Sequence, residues 1–282
     1  MPVLSTQNHD RDNAGLTYVY PVISRRAGGV SIGVNLNPNN ACNWRCVYCQ
    51  VPDLRRGGPP ACSLARLEGE LRGMLDAIVH GDFMARRVPP DMRRLNDVAL
   101  SGNGEPTSTP EFPEVVELIG RVLREYALLG VIKLLLISNG SQAGKRHVVA
   151  GLRAMSELGG EVWFKFDRAT RAGMRQVNDT ACDPERHYQR LKSVANLCPT
   201  WMQTCMFEFD GAAPDEAEVE AWLAILARIA RERVPLRGVL LYGLARPSLQ
   251  AEAPRLGALP EGWLRALAER VATLGLAVRV SP

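Results

Sequence analysis

Three of the seven cysteines stand together, as Cys42-Asn-Trp-Arg-Cys46-Val-Tyr-Cys49. The other four, Cys62, Cys182, Cys198 and Cys205, are scattered without C-x-x-C spacing. The count is odd, and Met1 to Gly15 is polar with no apolar core of the secretory kind. Both features argue against a disulfide framework and for a cytoplasmic setting. Three close thiolates suit zinc or iron–sulfur. A structural zinc takes four protein ligands, usually from two paired knuckles, and the nearest fourth candidate, Cys62, lies past a loop rich in Pro, Gly and Arg. Iron–sulfur clusters also usually take four thiolates. With three, one iron of four would stay open, and an open iron is where a small molecule coordinates. Spacing alone leaves both metals standing, iron–sulfur ahead of zinc. Cys198 and Cys205 read as small buried hydrophobes.

The segments that must position this loop alternate short apolar runs with helical periods, which predicts βα repeats and a parallel sheet. Strands are predicted at Ser31–Leu36, Asp97–Ser101, Val131–Ile137, Glu161–Phe166, Trp201–Phe209 and Leu236–Tyr242, with a further one at Leu276–Val280. Leu64, Leu67, Leu71, Leu75 and Ile78 keep one helical face. Further helices are predicted near 114–127, 145–158, 184–195, 215–231 and 261–274. Arg168–Asp183 is polar and reads as irregular, and Ala245–Pro260 as a Pro-containing loop. The chemically interesting residues follow strand ends. These are the cysteines, Gly102-Asn103-Gly104-Glu105-Pro106, Ser138-Asn139-Gly140, Lys165 with Asp167, and Gly243 with Arg246. In parallel α/β proteins that rim is where ligands bind.

Composition narrows the class without choosing a partner. Of 282 residues, 46% are hydrophobic and 23% charged, so the chain can bury a sizeable core and is not disordered. No run of about 18 uncharged apolar residues occurs, so no membrane partner is expected. Only Lys133, Lys145, Lys165 and Lys192 are lysines among 34 basic residues, and a net charge of +4 is too small to announce nucleic acid.

A C-x-x-x-C-x-x-C loop after a first strand, with Gly-x-Gly-Glu-Pro after the second, resembles the radical S-adenosylmethionine (radical SAM) superfamily. Within it the chain is most similar to iron–sulfur oxidoreductases related to wyosine-type tRNA-modifying enzymes, through Pro21–Arg26 and Ser101–Thr107. The resemblance implies an α/β fold, a partial (β/α)6 TIM-like barrel. Residues 30–245 would form its core, 1–29 an N-terminal extension, and 246–282 a C-terminal helix and strand. It implies that Cys42, Cys46 and Cys49 hold one 4Fe–4S cluster whose open iron chelates S-adenosylmethionine.

Further contacts to that cofactor are implied for Tyr48 and for Gly102, Asn103, Gly104 and Glu105. They extend to Asn139, Lys165 and Asp167, and to Gly243 and Leu244. Arg25, Arg26 and Arg246 are candidates for gripping an anionic substrate. The implied activity is reductive cleavage to a 5′-deoxyadenosyl radical that abstracts hydrogen from a small-molecule, peptide or RNA substrate. A reducing donor such as flavodoxin or ferredoxin would feed it. The sequence carries no second cysteine cluster, so chemistry needing an auxiliary centre is disfavoured. Read without the resemblance, Gly102 and Gly104 shape a turn, Glu105 is a loop acid, Lys165 is a solvated strand end, and the protein is a zinc-stabilised binding module.

Overall fold

The structure is a computed structural model and describes residues 3–6, 14–24 and 28–282. The chain divides into two compact units. The first comprises Met1–Cys42, Gly57–Ile137 and Gly144–Glu161; the second comprises Asn43–Arg56, Ser138–Ala143 and Val162–Pro282.

In the first unit β1 (Val19–Ser24) runs antiparallel to β2 (Gly29–Val34). β2, β3 (Leu95–Leu100) and β4 (Lys133–Ser138) follow in parallel. β1 is an edge strand, where Pro21, which has no N–H to donate, is tolerated. One face carries Val30, Ile32, Val34, Val98, Leu100, Leu134 and Leu136, all buried. The helices are α1 (Leu64–Val79), α2 (Phe112–Glu125) and α3 (Arg146–Glu157). α1 is capped by Ser63, whose hydroxyl accepts the Arg66 N–H, and it buries Leu67, Leu71, Met74, Leu75 and Ile78, close to the stripe that the period predicts.

The opposite strand face carries a buried carboxyl that sequence reading did not single out. Ser31 Oγ donates to Asp97, and burial, partly offset by that bond, pushes the Asp97 pKa up to about 6. A carboxyl whose folded pKa lies above its unfolded value loses stability as pH rises through the folded one. Asp97→Asn is therefore expected to stabilise the protein at pH 8 by on the order of 2–3 kcal/mol, and by little near pH 4. Urea denaturation at the two pH values measures this, and an equal gain at both would contradict it.

The four main strands of the second unit run parallel: β5 (Glu161–Lys165), β6 (Thr200–Cys205), β7 (Leu236–Tyr242) and β8 (Val278–Ser281). Its helices are α4 (Arg171–Asn178), α5 (Pro184–Leu197), α6 (Glu216–Arg231) and α7 (Glu261–Thr273). Asp183 caps α5 by accepting the N–H groups of Glu185 and Arg186 at 2.8 and 3.2 Å. Phe164, Met202, Val239, Leu241, Trp222, Leu226, Ile229 and Leu264 are buried in its core.

Two local expectations are corrected here. Arg168–Asp183 is not irregular, because α4 occupies its centre. Thr170 caps that helix, and the Glu218 carboxylate on α6 accepts the Ala169 and Thr170 N–H groups at 2.5 and 3.2 Å. The strand predicted through Phe209 ends at Cys205; Glu208–Phe209 pairs instead with Leu256–Gly257. Among the described residues no helix is long and apolar enough to cross a membrane.

Candidate functional site

The first unit holds Cys42 and the Gly-Asn-Gly-Glu-Pro turn, and two unremarked asparagines organise them. Asn35 and Asn37, just past β2, are both buried. Asn35 Oδ1 accepts the N–H of Asn37 at 3.0 Å and of Asn103 at 2.9 Å, while Asn37 Nδ2 donates to the Ala41 carbonyl at 2.9 Å. These bonds tie the turn after β3 to the residue preceding Cys42. The close approach explains both glycines. A Cβ on Gly102 would lie 2.3 Å from Asn35 Oδ1, and one on Gly104 would lie 2.2 Å from the Ala41 carbonyl. Asn103 Nδ2 donates to Asn40 at 2.6 Å. Glu105 is buried rather than an exposed loop acid, and its Oε1 accepts from the Thr107 N–H and hydroxyl at 3.1 and 2.5 Å.

The second unit holds Cys46 and Cys49 on a loop gripped from two directions. On one side the end of α4 supplies carbonyls that a helix cannot satisfy internally. Val177 accepts the Val47 N–H at 2.9 Å and Asn178 accepts the Arg45 N–H at 3.3 Å. On the other side residues 246–252 act as a strap. Ser248 Oγ donates to the Val47 carbonyl at 2.6 Å, Gln250 Nε2 to the Cys49 and Val51 carbonyls at 3.2 and 2.9 Å, and Leu249 N to Cys49 O at 2.9 Å. Arg246 Nη1 donates to Gln50 Oε1 at 3.0 Å, and Arg45 pairs with Glu252 at 2.6 Å. Val47, Val177, Cys205 and Phe207 form a buried cluster beneath the loop, against which Tyr48, Tyr242 and Leu244 pack.

Next to that cluster lies a buried polar network. Asp167 accepts from Tyr48 Oη at 2.5 Å, Asn178 Nδ2 at 2.8 Å and the Cys205 N–H at 2.9 Å, with Lys165 Nζ at 4.0 Å. Lys165 Nζ also donates to Tyr242 Oη at 3.4 Å and stands 4.8 Å from the Tyr48 ring centroid. Burial would raise the Asp167 pKa, but the Lys165 ammonium and three donors outweigh it and hold the carboxyl low. Burial likewise pulls Lys165 down, and Asp167 overcomes it. Tyr48 is driven well up by burial and by the Asp167 charge.

Cys46 Sγ accepts from Asn178 Nδ2 at 3.3 Å, and burial pushes its thiol up to about 12. His187 lies among Trp44, Phe164 and Phe166, and burial depresses it to about 4. It is a neutral core histidine.

The remaining predicted residues are placed as follows. Asn139 Nδ2 donates to Asn43 Oδ1 and its own Oδ1 accepts the Ser141 N–H, both at 2.9 Å. Gly243 N donates to the Ser281 carbonyl at 3.1 Å, joining the β7 exit to β8. Arg25 and Arg26 lie outside the described residues. Tyr48, Lys165 and Asp167 are thus brought together with Cys46 in the second unit; Cys42 and Gly102–Glu105 gather in the first.

None of Cys42, Cys46 and Cys49 is in a disulfide. Among the described residues no three His, Cys, Asp or Glu side chains are drawn together as a metal site. The donor chemistry of the second unit nevertheless fits a thiolate-held metal. The Cys49 N–H closes a turn onto the Cys46 carbonyl at 2.9 Å, and an amide N–H is aimed at Cys46 sulfur.

No protein-family profile matches the chain. By fold it is similar to the structure of TYW1 with a lysine–pyruvate adduct bound, with a TM-score of 0.57 and 13% identity over 86% of this chain and 73% of that one. It is also similar to a radical SAM methyltransferase from Sphaerobacter thermophilus, with a TM-score of 0.56 and 11% identity over 93% of this chain and 68% of that one. The chain therefore shares its α/β fold with these two proteins.

In sequence, a curated GTPase Obg from Brachyspira hyodysenteriae aligns over 152 residues at 21% identity, which is 54% of this chain and 20% of that protein. The chain spans only about a fifth of that relative, and it contains no G-x-x-x-x-G-K-S/T phosphate loop.

Proposed function

We propose that this protein is a radical SAM enzyme in which Cys42, Cys46 and Cys49 hold one 4Fe–4S cluster. The observation that carries the reading is the C-x-x-x-C-x-x-C loop, none of whose cysteines is in a disulfide, on a chain with this fold, with Cys46 and Cys49 locked between α4 and the strap. Bound there, the cluster would supply the electron that cleaves S-adenosylmethionine to a 5′-deoxyadenosyl radical.

The chain's own residues bind and orient. With Glu105 Oε1 turned inward onto Thr107, the Gly102–Gly104 backbone offers carbonyls suited to an amino group. Asn139, Lys165 and Asp167 supply polar contacts and Tyr48 a ring, with Gly243 and Leu244 as the close backbone approach. Arg25, Arg26 and Arg246 would face substrate. We read residues 30–245 as the core, with 1–29 and 246–282 flanking it. The substrate classes are a small molecule, a peptide or RNA. The segments Pro21–Arg26 and Ser101–Thr107 favour kinship with wyosine-type tRNA-modifying enzymes. Flavodoxin or ferredoxin would serve as reductant, in the cytoplasm.

Anaerobic reconstitution with iron and sulfide tests this. Uptake of about four iron and four sulfide per chain is expected, followed by 5′-deoxyadenosine on reduction with S-adenosylmethionine. A protein that takes no iron and instead binds about one zinc is a zinc-stabilised module.

A further inference from the structure

The Asn178 side chain occupies a position that the proposed chemistry leaves unused. It is buried at the last residue of α4, where Asp179 turns left-handed with φ 46°. Its Nδ2 makes two hydrogen bonds, to Cys46 Sγ at 3.3 Å and to Asp167 Oδ2 at 2.8 Å. The second bond fixes the first. A carboxylate accepts only, so the amide must turn its amino group and not its carbonyl toward Asp167. Asp167 is itself held from three further sides, by Tyr48, Lys165 and the Cys205 N–H. The amide therefore cannot flip without breaking the network, and one N–H is permanently aimed at sulfur.

An N–H donated to a metal-bound thiolate stabilises the state with more negative charge on the cluster. It thereby raises the reduction potential, as hydrogen bonds to cluster sulfurs do generally. We propose that Asn178 is a positioning residue that sets the potential of the metal centre through Cys46, with Asp167 and Lys165 fixing its orientation. The inference rests on the iron–sulfur reading above.

The test is a potentiometric titration, followed by electron paramagnetic resonance, of anaerobically reconstituted wild type, Asn178→Leu and Asn178→Ala. The expected result is full iron content in all three and a midpoint potential shifted negative in both variants. Two variants differing in bulk keep a packing effect separable from loss of the donor. Midpoints equal to wild type overturn the proposal and leave the iron–sulfur reading intact. Variants that melt like wild type yet take no iron, or that both fail to fold, make Asn178 an assembly or folding residue and overturn it as well. Absence of iron from the wild type removes both readings together.

Discussion

Cys46→Ala is expected to leave a folded protein that no longer assembles the proposed metal centre. Of the three clustered thiols, Cys46 has its sulfur met directly by an amide donor and lies against Asp167 and Lys165. Losing an outer-shell partner of a metal ligand already costs about 10–100-fold in affinity or activity, so losing the ligand is expected to cost more than about a hundredfold. The cost to the metal-free fold is small. One sulfur acceptor disappears, worth about 1 kcal/mol, while the loop keeps its grip through Val177, Ser248 and Gln250, all of which bind its backbone. Iron and sulfide content, 5′-deoxyadenosine formation and a melting curve together measure this. Full iron retention with unchanged product would remove Cys46 from the site. A collapsed melting curve would mean that its role is structural.

The second large effect is on stability. Asp167→Ala is expected to destabilise the protein by about 3–5 kcal/mol, because it leaves a mostly buried ammonium without its partner. Four groups converge on this carboxylate, and its side chain is fully buried with Lys165 4.0 Å away. Burial opposes ionisation, yet the folded pKa is depressed because Lys165, Tyr48, Cys205 N–H and Asn178 outweigh it. A depressed carboxyl contributes fully above its unfolded pKa, about 3.9, and loses that contribution as pH falls through the folded value. Wild type should therefore lose stability below about pH 4 through this group, and Asp167→Ala should lack that component. The double variant Lys165→Met/Asp167→Leu is expected to regain most of the loss, since an apolar pair can replace a buried ion pair. Urea denaturation across pH decides it. A double variant no better than Asp167→Ala would place the energy in the Tyr48 and Asn178 bonds instead.

Much of the fold was legible because each strand and helix declares itself locally. The Leu67–Ile78 stripe of α1 and the alternation of apolar runs placed most elements to within a few residues. What escaped depends on distant partners. α4 offers only Met174 and Val177 as large apolar anchors in eight residues, so its period is too weak to see. Its start is held by Glu218, 48 and 49 residues onward in sequence.

The site divides in the same way. Cys42, Cys46 and Cys49 and the Gly102–Glu105 turn stand out by type and spacing. Asn35, Asn37, Asn178, Ser248 and Gln250 are ordinary polar residues until the fold shows which loop carbonyls, backbone N–H groups and sulfur they meet. A run such as Asn35-Leu36-Asn37-Pro38 directly after a strand was the one available hint.

The strap has a consequence for when the protein becomes competent. The bonds holding the Cys46–Cys49 loop come from residues 132, 199 and 201 positions later in the chain. During synthesis the loop emerges early, can be met by α4 once residue 178 is out, and gains its strap only when residues 246–252 follow. Contacts at such separations form late and slowly. Until those contacts exist, Cys46 and Cys49 lack the geometry that the finished fold gives them.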